Sequence, residues 1–362
     1  MFTEESLLRG DMIQVMDESG QVVHPEWQPE IPAEKLAEAL KSMLYVRTAD
    51  AMAISYQRQG RMYTYPPNLG QEAIGVAAGL HMRQEDWLVP AFREMGAWLL
   101  KGATMKDIFL YWGGHEDGSR FPGAANMLPS AVPIASQLPH AVGIGYALKL
   151  QKKAGIVFVY FGDGATSEGD FHEALNFAGV WKVPVVFICQ NNQYAISVPL
   201  RLQTAARSLA IKALAYGIPG VRVDGNDFLA LWKVFSEADT LVRGESGPIL
   251  IEAVTFRRGA HTTSDDPTLY RTLEEEKTWE ARDPIKRLRQ YLLTKGLWNE
   301  AEEAPLIEQY KAEIDTHFLA SETYPPYPLE DVFKYQFRDM PLHLKRQQAE
   351  YEKFLAWKGV HK

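Results

Sequence analysis

Residues 155–192 read GIVFVYFGDGATSEGDFHEALNFAGVWKVPVVFICQNN, and this stretch decides the fold. Residues 155–161 (GIVFVYF) are an unbroken apolar run of the kind that is buried on both faces of a sheet. Residues 167–181 follow with a helical pattern, in which Ser167 and Asp170 are spaced as a capping box with Asp in place of Glu. Residues 183–189 (VPVVFIC) are a second buried run. Downstream, a helix is expected near 204–216, a strand near 220–223, a helix near 228–243 and a long apolar strand over 248–256 (PILIEAVTF). This alternation predicts an α/β fold, a parallel sheet with helices on both faces. Ligands of such sheets bind beyond the carboxyl ends of the strands.

Upstream, residues 1–32 show no sustained period, and Pro25, Pro29 and Pro32 point to an extended N-terminal arm. From Pro32 to Arg58 the pattern is helical, with Leu36, Leu40, Met43, Leu44 and Val46 facing inward. A loop over 60–70, a small-residue helix over 71–82 and a short strand over 88–93 ending in Arg93 come next. Residues 113–130 form a long Gly- and Pro-rich loop, a length that is more often functional than idle. Beyond about 267 the chain becomes charged and helical (273–293, 300–319, 340–357). The expected organisation is therefore an arm (1–32), a ligand-binding domain (33–267) and a C-terminal helical extension (268–362). The small-residue helices 71–82 and 140–148 suit close packing, either within the chain or at a subunit interface.

The chain has 362 residues, 46% apolar and 23% charged, with a net charge of −8. That balance does not suit bulk binding to nucleic acid or to an anionic membrane. Cys189 is the single cysteine, which excludes an intrachain disulfide framework and cysteine-cluster metal sites. No window reaches 18 consecutive apolar residues, and the start MFTEES lacks the basic and apolar regions of a signal peptide. A reducing cytoplasm is the expected location.

Gly162-Asp163-Gly164 ends the first buried run, and Asn191-Asn192 ends the second, with Asn192 29 positions after Asp163. One helical crossover needs about that many residues, so both side chains emerge at the same sheet edge. A carboxylate with an amide oxygen is hard-oxygen chemistry, which suits magnesium bridging to substrate phosphates. Gly162 and Gly164 let the backbone pass close to a diphosphate, and the following helix offers its amino end to the anion. Gly-Asp-Gly alone reads as a tight turn; with Asn-Asn one crossover later it matches the thiamin diphosphate fingerprint. Arg257, Arg258 and His261 follow the third long strand, in a Gly-containing, hydroxyl-rich loop, and an imidazole there can move a proton near neutral pH. Phe92-Arg93 also ends a strand, and Arg93 offers a fork for phosphate. His140 reads as structural, His115 as undecided, and His24, His81, His172, His317, His343 and His361 carry no functional argument.

The residues RQGRMYTY (58–65), GQEA (70–73), AFREMG (91–96), IASQLPHAVG (134–143), GDGATSEGDFHEALNFAG (162–179), QNNQYAISVP (190–199) and HTTSDDPTLYR (261–271) carry a resemblance over nearly the whole length. The chain resembles the alpha subunit of the thiamin-diphosphate-dependent 2-oxoacid dehydrogenase component, in its Gram-positive-like pyruvate dehydrogenase form. The resemblance implies magnesium on Asp163, Asn192 and the Tyr194 carbonyl, and diphosphate beside Gly162, Gly164 and Ala165. It implies cofactor contacts from Phe92 and Arg93, with Val132 and Ile134 lining the cofactor rings. His261 would be the catalytic histidine, and Tyr65, Gln71 and Phe92 would reach the substrate. The implied reaction is oxidative decarboxylation of pyruvate, with acyl transfer to the lipoyl group of an acyltransferase core. In this family a glutamate of a separate beta subunit completes the site, so the resemblance implies an α2β2 partnership. Thr262 stands where mammalian relatives carry a phosphorylated serine, which removes the basis for kinase control, and Val132 stands where relatives carry Ser or Gly. A branched-chain 2-oxoacid or acetoin-cleaving relative is an alternative within the family. Outside it stand a non-catalytic scaffold and a magnesium-dependent nucleotide hydrolase, the latter weakened because no Gly-x-x-x-x-Gly-Lys-Ser/Thr loop occurs.

Overall fold

The computed structural model describes residues 2–359. Its strands are β1 (Trp87–Val89), β2 (Val157–Gly162), β3 (Val185–Asn191), β4 (Tyr194–Ala195), β5 (Val198–Pro199), β6 (Gly220–Asp224) and β7 (Ile249–Val254). Five of them form one sheet in the order β1-β2-β3-β7-β6, and every pairing in it is parallel. β4 and β5 make a small antiparallel hairpin beyond the end of β3. The register sets Gly162 opposite Gln190 and Asn191 opposite Val254, so β2, β3 and β7 end at one level.

Both faces are buried because the strands alternate apolar residues with apolar residues. Phe158, Tyr160, Val186, Ile188, Ile249 and Ile251 point to one core, covered by the helices Ala33–Arg58, Glu72–His81, Phe228–Arg243 and Pro284–Thr294. Val157, Val159, Phe161, Val185, Phe187 and Cys189 point to the other, covered by Gln137–Leu150 and Gly169–Trp181. The small-residue helix Glu72–His81 packs within the chain. A side chain added at Gly79 would meet Leu100 at 2.8 Å, and one added at Gly96 would meet Val76 at 2.8 Å. In Gln137–Leu150 one face packs the same way, with Gly145 against Val185, whereas Gly143 faces open space.

Local expectations differ from the structure where turn chemistry intervenes. After β2 the chain makes a 3-10 turn, Asp163–Ser167, and the helix begins only at Gly169, capped at Glu168 with no side-chain bond. Ser167 is still inside that turn, so the Ser167/Asp170 capping box does not form. In place of the helix expected over 204–216 there is only a 3-10 segment, Ala210–Tyr216, stopped by Gly217 in the left-handed region; a short helix, Leu200–Gln203, precedes it. The segment 273–293 splits into Leu273–Glu280 and Pro284–Thr294, because Asp283 caps the second helix and Pro284 starts it. The arm is not extended throughout: Thr3 caps a helix, Glu4–Arg9, that ends at Gly10 with φ 78°. Ile13 then pairs with Val223, its N–H donating to Arg222 O at 2.9 Å, so the arm covers the edge strand β6.

Residues up to Ser321 form one compact unit, and the chain from Glu322 onward forms a second, with the helices Asp331–Lys334 and Leu342–Trp357. Among the described residues no helix is long and apolar enough to cross a membrane.

Phe187 is wholly buried in the central strand β3. Phe187→Ala is expected to lower unfolding stability by ~3–5 kcal/mol, read from equilibrium urea unfolding. A loss below about 1 kcal/mol would contradict this packing.

Candidate cofactor site

Asp163 follows β2, Asn192 follows β3, and Tyr194 opens the hairpin. Asn192 Nδ2 donates to Gln71 Oε1 at 2.9 Å, and its Oδ1 accepts from the Tyr194 N–H at 3.3 Å. That oxygen lies 3.0 Å from the Tyr194 carbonyl oxygen and 3.3 Å from Asp163 Oδ1. In this orientation of the Asn192 amide the three acceptors face one another, and none of them donates to another. Without a cation the amide gains by turning its NH2 into that position; with one, the oxygen belongs there. The other Asp163 oxygen, Oδ2, accepts from Gln203 Nε2 at 2.6 Å, which fixes the carboxylate. Burial pushes the Asp163 carboxyl up, a cost that a bound cation would offset. Among the described residues no three His, Cys, Asp or Glu side chains cluster as a metal site. The donor set here is instead one carboxylate, one amide and one backbone carbonyl, which fits a hard cation that keeps water or phosphate oxygens.

The turn that carries the Tyr194 carbonyl is held by Arg257. Its Nη1 donates to Tyr194 O at 3.2 Å, and its Nη2 to Ile196 O at 2.6 Å and to Tyr270 Oη at 3.1 Å. Ile196 has φ 55°, an unusual conformation for a β-branched residue, and this bond secures it. Gly164 is required for the same turn, because a Cβ there would sit 2.7 Å from the Ala195 methyl. At Gly162 a Cβ would meet open space.

Arg93 lies across the cavity. Its Nη1 donates to Pro67 O at 2.6 Å, and its Nη2 donates to His261 Nδ1 at 3.0 Å and to the His261 carbonyl. The guanidinium only donates, so Nδ1 is the acceptor and the imidazole proton resides on Nε2. The His261 N–H donates to Asp265 Oδ2 at 2.8 Å, which also accepts from Tyr270 Oη at 2.5 Å. Burial first, then the positive charge of Arg93 and Arg257, pushes the His261 imidazole down to about 4. Both arginines are buried, and among the described residues neither forms an ion pair with a carboxylate. Buried positive charge without a direct ion pair favours an anionic ligand.

These groups line one cavity of about 280 Å³. Phe92, Arg93, Ile134, Gly162, Asp163, Gly164, Ala165, Asn192, Tyr194 and His261 are all on its wall. Val132 is not: it is 53% exposed and outside the lining. His140 lies on the exposed side of its helix, and His115 accepts from the Asp117 N–H in the 113–130 loop; neither joins the cavity. His361 lies outside the described residues. A larger surface cleft of about 710 Å³, beside Tyr45, Leu100 and Tyr310, contains none of the expected site residues.

The cavity also gives residues roles that sequence patterns did not. Gln71, anticipated as a substrate contact, holds Asn192. Glu94 is wholly buried on the wall, and burial pushes its carboxyl up to about 8, so it is protonated at neutral pH. Gln71 Nε2, Gln137 Oε1 and Gln190 Oε1 line the same cavity, buried and without a hydrogen-bond partner. Orphaned polar atoms converging on a cavity mark a place for a polar ligand. The one available signal for Glu94 and Gln190 was their position next to strand ends.

His261 of the isolated chain is expected to remain neutral, as the Nε2–H tautomer, through pH 5 and to titrate near 4 in an imidazole NMR titration. A midpoint near 6.5 would mean that Arg93 and Arg257 do not surround it as described.

The chain is 43% identical over 341 residues to the pyruvate dehydrogenase E1 component subunit alpha of Acholeplasma laidlawii, covering 94% of this chain and 99% of that protein. It is 41% identical over 344 residues to the subunit of the same name from Staphylococcus aureus, covering 94% of this chain and 93% of that one. The Staphylococcus epidermidis subunit is 39% identical over 350 residues, 96% and 94% of the two chains. The nucleotide-hydrolase alternative finds no support among these relatives. Residues 40–330 match the model of the dehydrogenase E1 component family, and the chain belongs to that family.

Proposed function

We propose that this chain is the alpha subunit of a pyruvate-type 2-oxoacid dehydrogenase, working with a beta subunit on pyruvate and passing the acyl group to a lipoyl-bearing acyltransferase core. The carrying observation is the meeting of Asp163 Oδ1, Asn192 Oδ1 and the Tyr194 carbonyl in the same cavity as Arg93, Arg257 and His261. Family membership makes the enzyme thiamin-diphosphate dependent. When bound, this cofactor supplies a carbon nucleophile and an electron sink for loss of CO₂ from a 2-oxo acid.

In this reading Asp163, Asn192 and the Tyr194 carbonyl hold Mg²⁺, and Gly162, Gly164 and Ala165 border the diphosphate. Arg257 and Arg93 supply the positive potential that retains the anion. Arg93 also orients His261, whose Nε2–H faces the reacting end as a donor and proton carrier. Phe92 and Ile134 give that end an apolar wall, which favours a step that loses charge from a carboxylate. Residues 33–267 carry the cofactor, with 1–32 as an arm and 268–362 as a helical extension.

A beta subunit is part of the family's alpha-subunit organisation, and an α2β2 assembly in the cytoplasm completes the proposal. Supporting a partner at the cavity mouth, Ile134 and Ile196 on its wall are about half exposed, and Val132, Val198 and Leu202 nearby are exposed as well. Apolar side chains around a site are normally covered.

The test is co-expression with a beta-type chain, followed by decarboxylation assays on pyruvate and on 3-methyl-2-oxobutanoate. Activity is expected only from the pair, with pyruvate preferred and with loss on magnesium chelation. His261→Ala is expected to slow turnover by ~10²–10⁴. Asp163→Ala is expected to abolish magnesium-dependent cofactor binding in calorimetry. Full activity of the chain alone, or of the Asp163→Ala pair, would overturn the assignment.

A further inference from the structure

We infer that Glu94 is a positioning residue that clamps the two arms of the cofactor cavity together, an inference that rests on the cofactor reading above. One arm, at the ends of β2 and β3, carries Asp163 and Asn192. The other, the turn between β1 and the helix Met95–Lys101, carries Arg93 and through it His261. Glu94 spans them. Its Oε1 accepts from Gln190 Nε2 at 2.7 Å, two positions before Asn192, and its Oε2 accepts from the Arg93 N–H at 3.0 Å.

No backbone hydrogen bond does this work. β1 pairs with β2, and β2 lies between it and β3, so the Arg93 turn has no ladder contact with the end of β3. The side chain crosses that gap inside the cavity wall, wholly buried, where water cannot replace either bond. Protonation, favoured by burial, keeps a second negative charge out of a cavity meant for a diphosphate and leaves an O–H to give.

Such a clamp acts on geometry, and its removal should be felt in cofactor affinity before it is felt in folding. Deleting one partner strands the other, so single variants are costly and the double is not additive. The experiment measures thiamin diphosphate binding by calorimetry, in excess Mg²⁺, to the chain assembled with its beta-type partner. Glu94→Ala and Gln190→Leu are each expected to weaken binding by about tenfold. The double variant is expected to be no weaker than the worse single, and Glu94→Gln, which keeps its oxygen for the Arg93 N–H and can donate its NH2 to the unpartnered Gln190 oxygen once that amide turns, to bind within about threefold of the parent. Melting of each variant is followed in parallel. The clamp is overturned if the two single effects multiply, or if Glu94→Gln is as weak as Glu94→Ala. It is also overturned if the melting temperature falls while affinity stays unchanged. Failure of the parent assembly to bind the probe would instead overturn the cofactor reading, and the clamp with it.

Discussion

The parallel pairing of β2 with β3 is the constraint on which the rest depends. Parallel strands end at the same edge, and here Gly162 lies opposite Gln190, so the first residues past each end become neighbours. Asp163 and Asn192 need no long side chain to meet; the ladder places them. The hairpin after β3 then folds the Tyr194 carbonyl back onto the same point. The Arg257 hydrogen bond to the Tyr194 carbonyl and the close approach of Gly164 to the Ala195 methyl hold that hairpin in place.

The opposite wall balances this oxygen cluster with positive charge. Arg93 and Arg257 donate to carbonyls, a hydroxyl and an imidazole, all neutral. Among the described residues neither is in a direct ion pair, and His261 stays neutral first because it is buried and then because of their charge. The site is thus polarised, with an electronegative corner for a cation and a positive field for the anion that shares it. In the proposed reading, an ion pair between magnesium and a diphosphate would satisfy both at once.

Much of this was legible in the sequence, and the reasons are specific. The three long strands β2, β3 and β7 show as apolar runs because both faces of a covered parallel sheet are dry. Asp163 and Asn192 show because crossover length is set by geometry. The capping box at Ser167 was misread because a turn of 3-10 helix looks the same as the first turn of an α-helix at the level of composition. Val132 was placed on the wall by resemblance, yet it stands outside the lining while Ile134, two positions on, belongs to it. Glu94, Gln190 and Gln203 escaped notice because their partners are distant in the chain, 96 positions in the case of Glu94 and Gln190. No local pattern encodes a bond of that span.

Ile13 occupies the otherwise bare side of β6, and Asp227 accepts the N–H groups of Val15 and Met16 at 2.6 and 2.7 Å while also capping the helix that begins at Phe228. Clipping the first two dozen residues would therefore strip a lid from hydrogen-bonding groups and strand a buried carboxylate in one stroke. A shortened protein of this kind would invite strands of neighbouring molecules to fill the gap, so precipitation would announce the damage sooner than any loss of turnover.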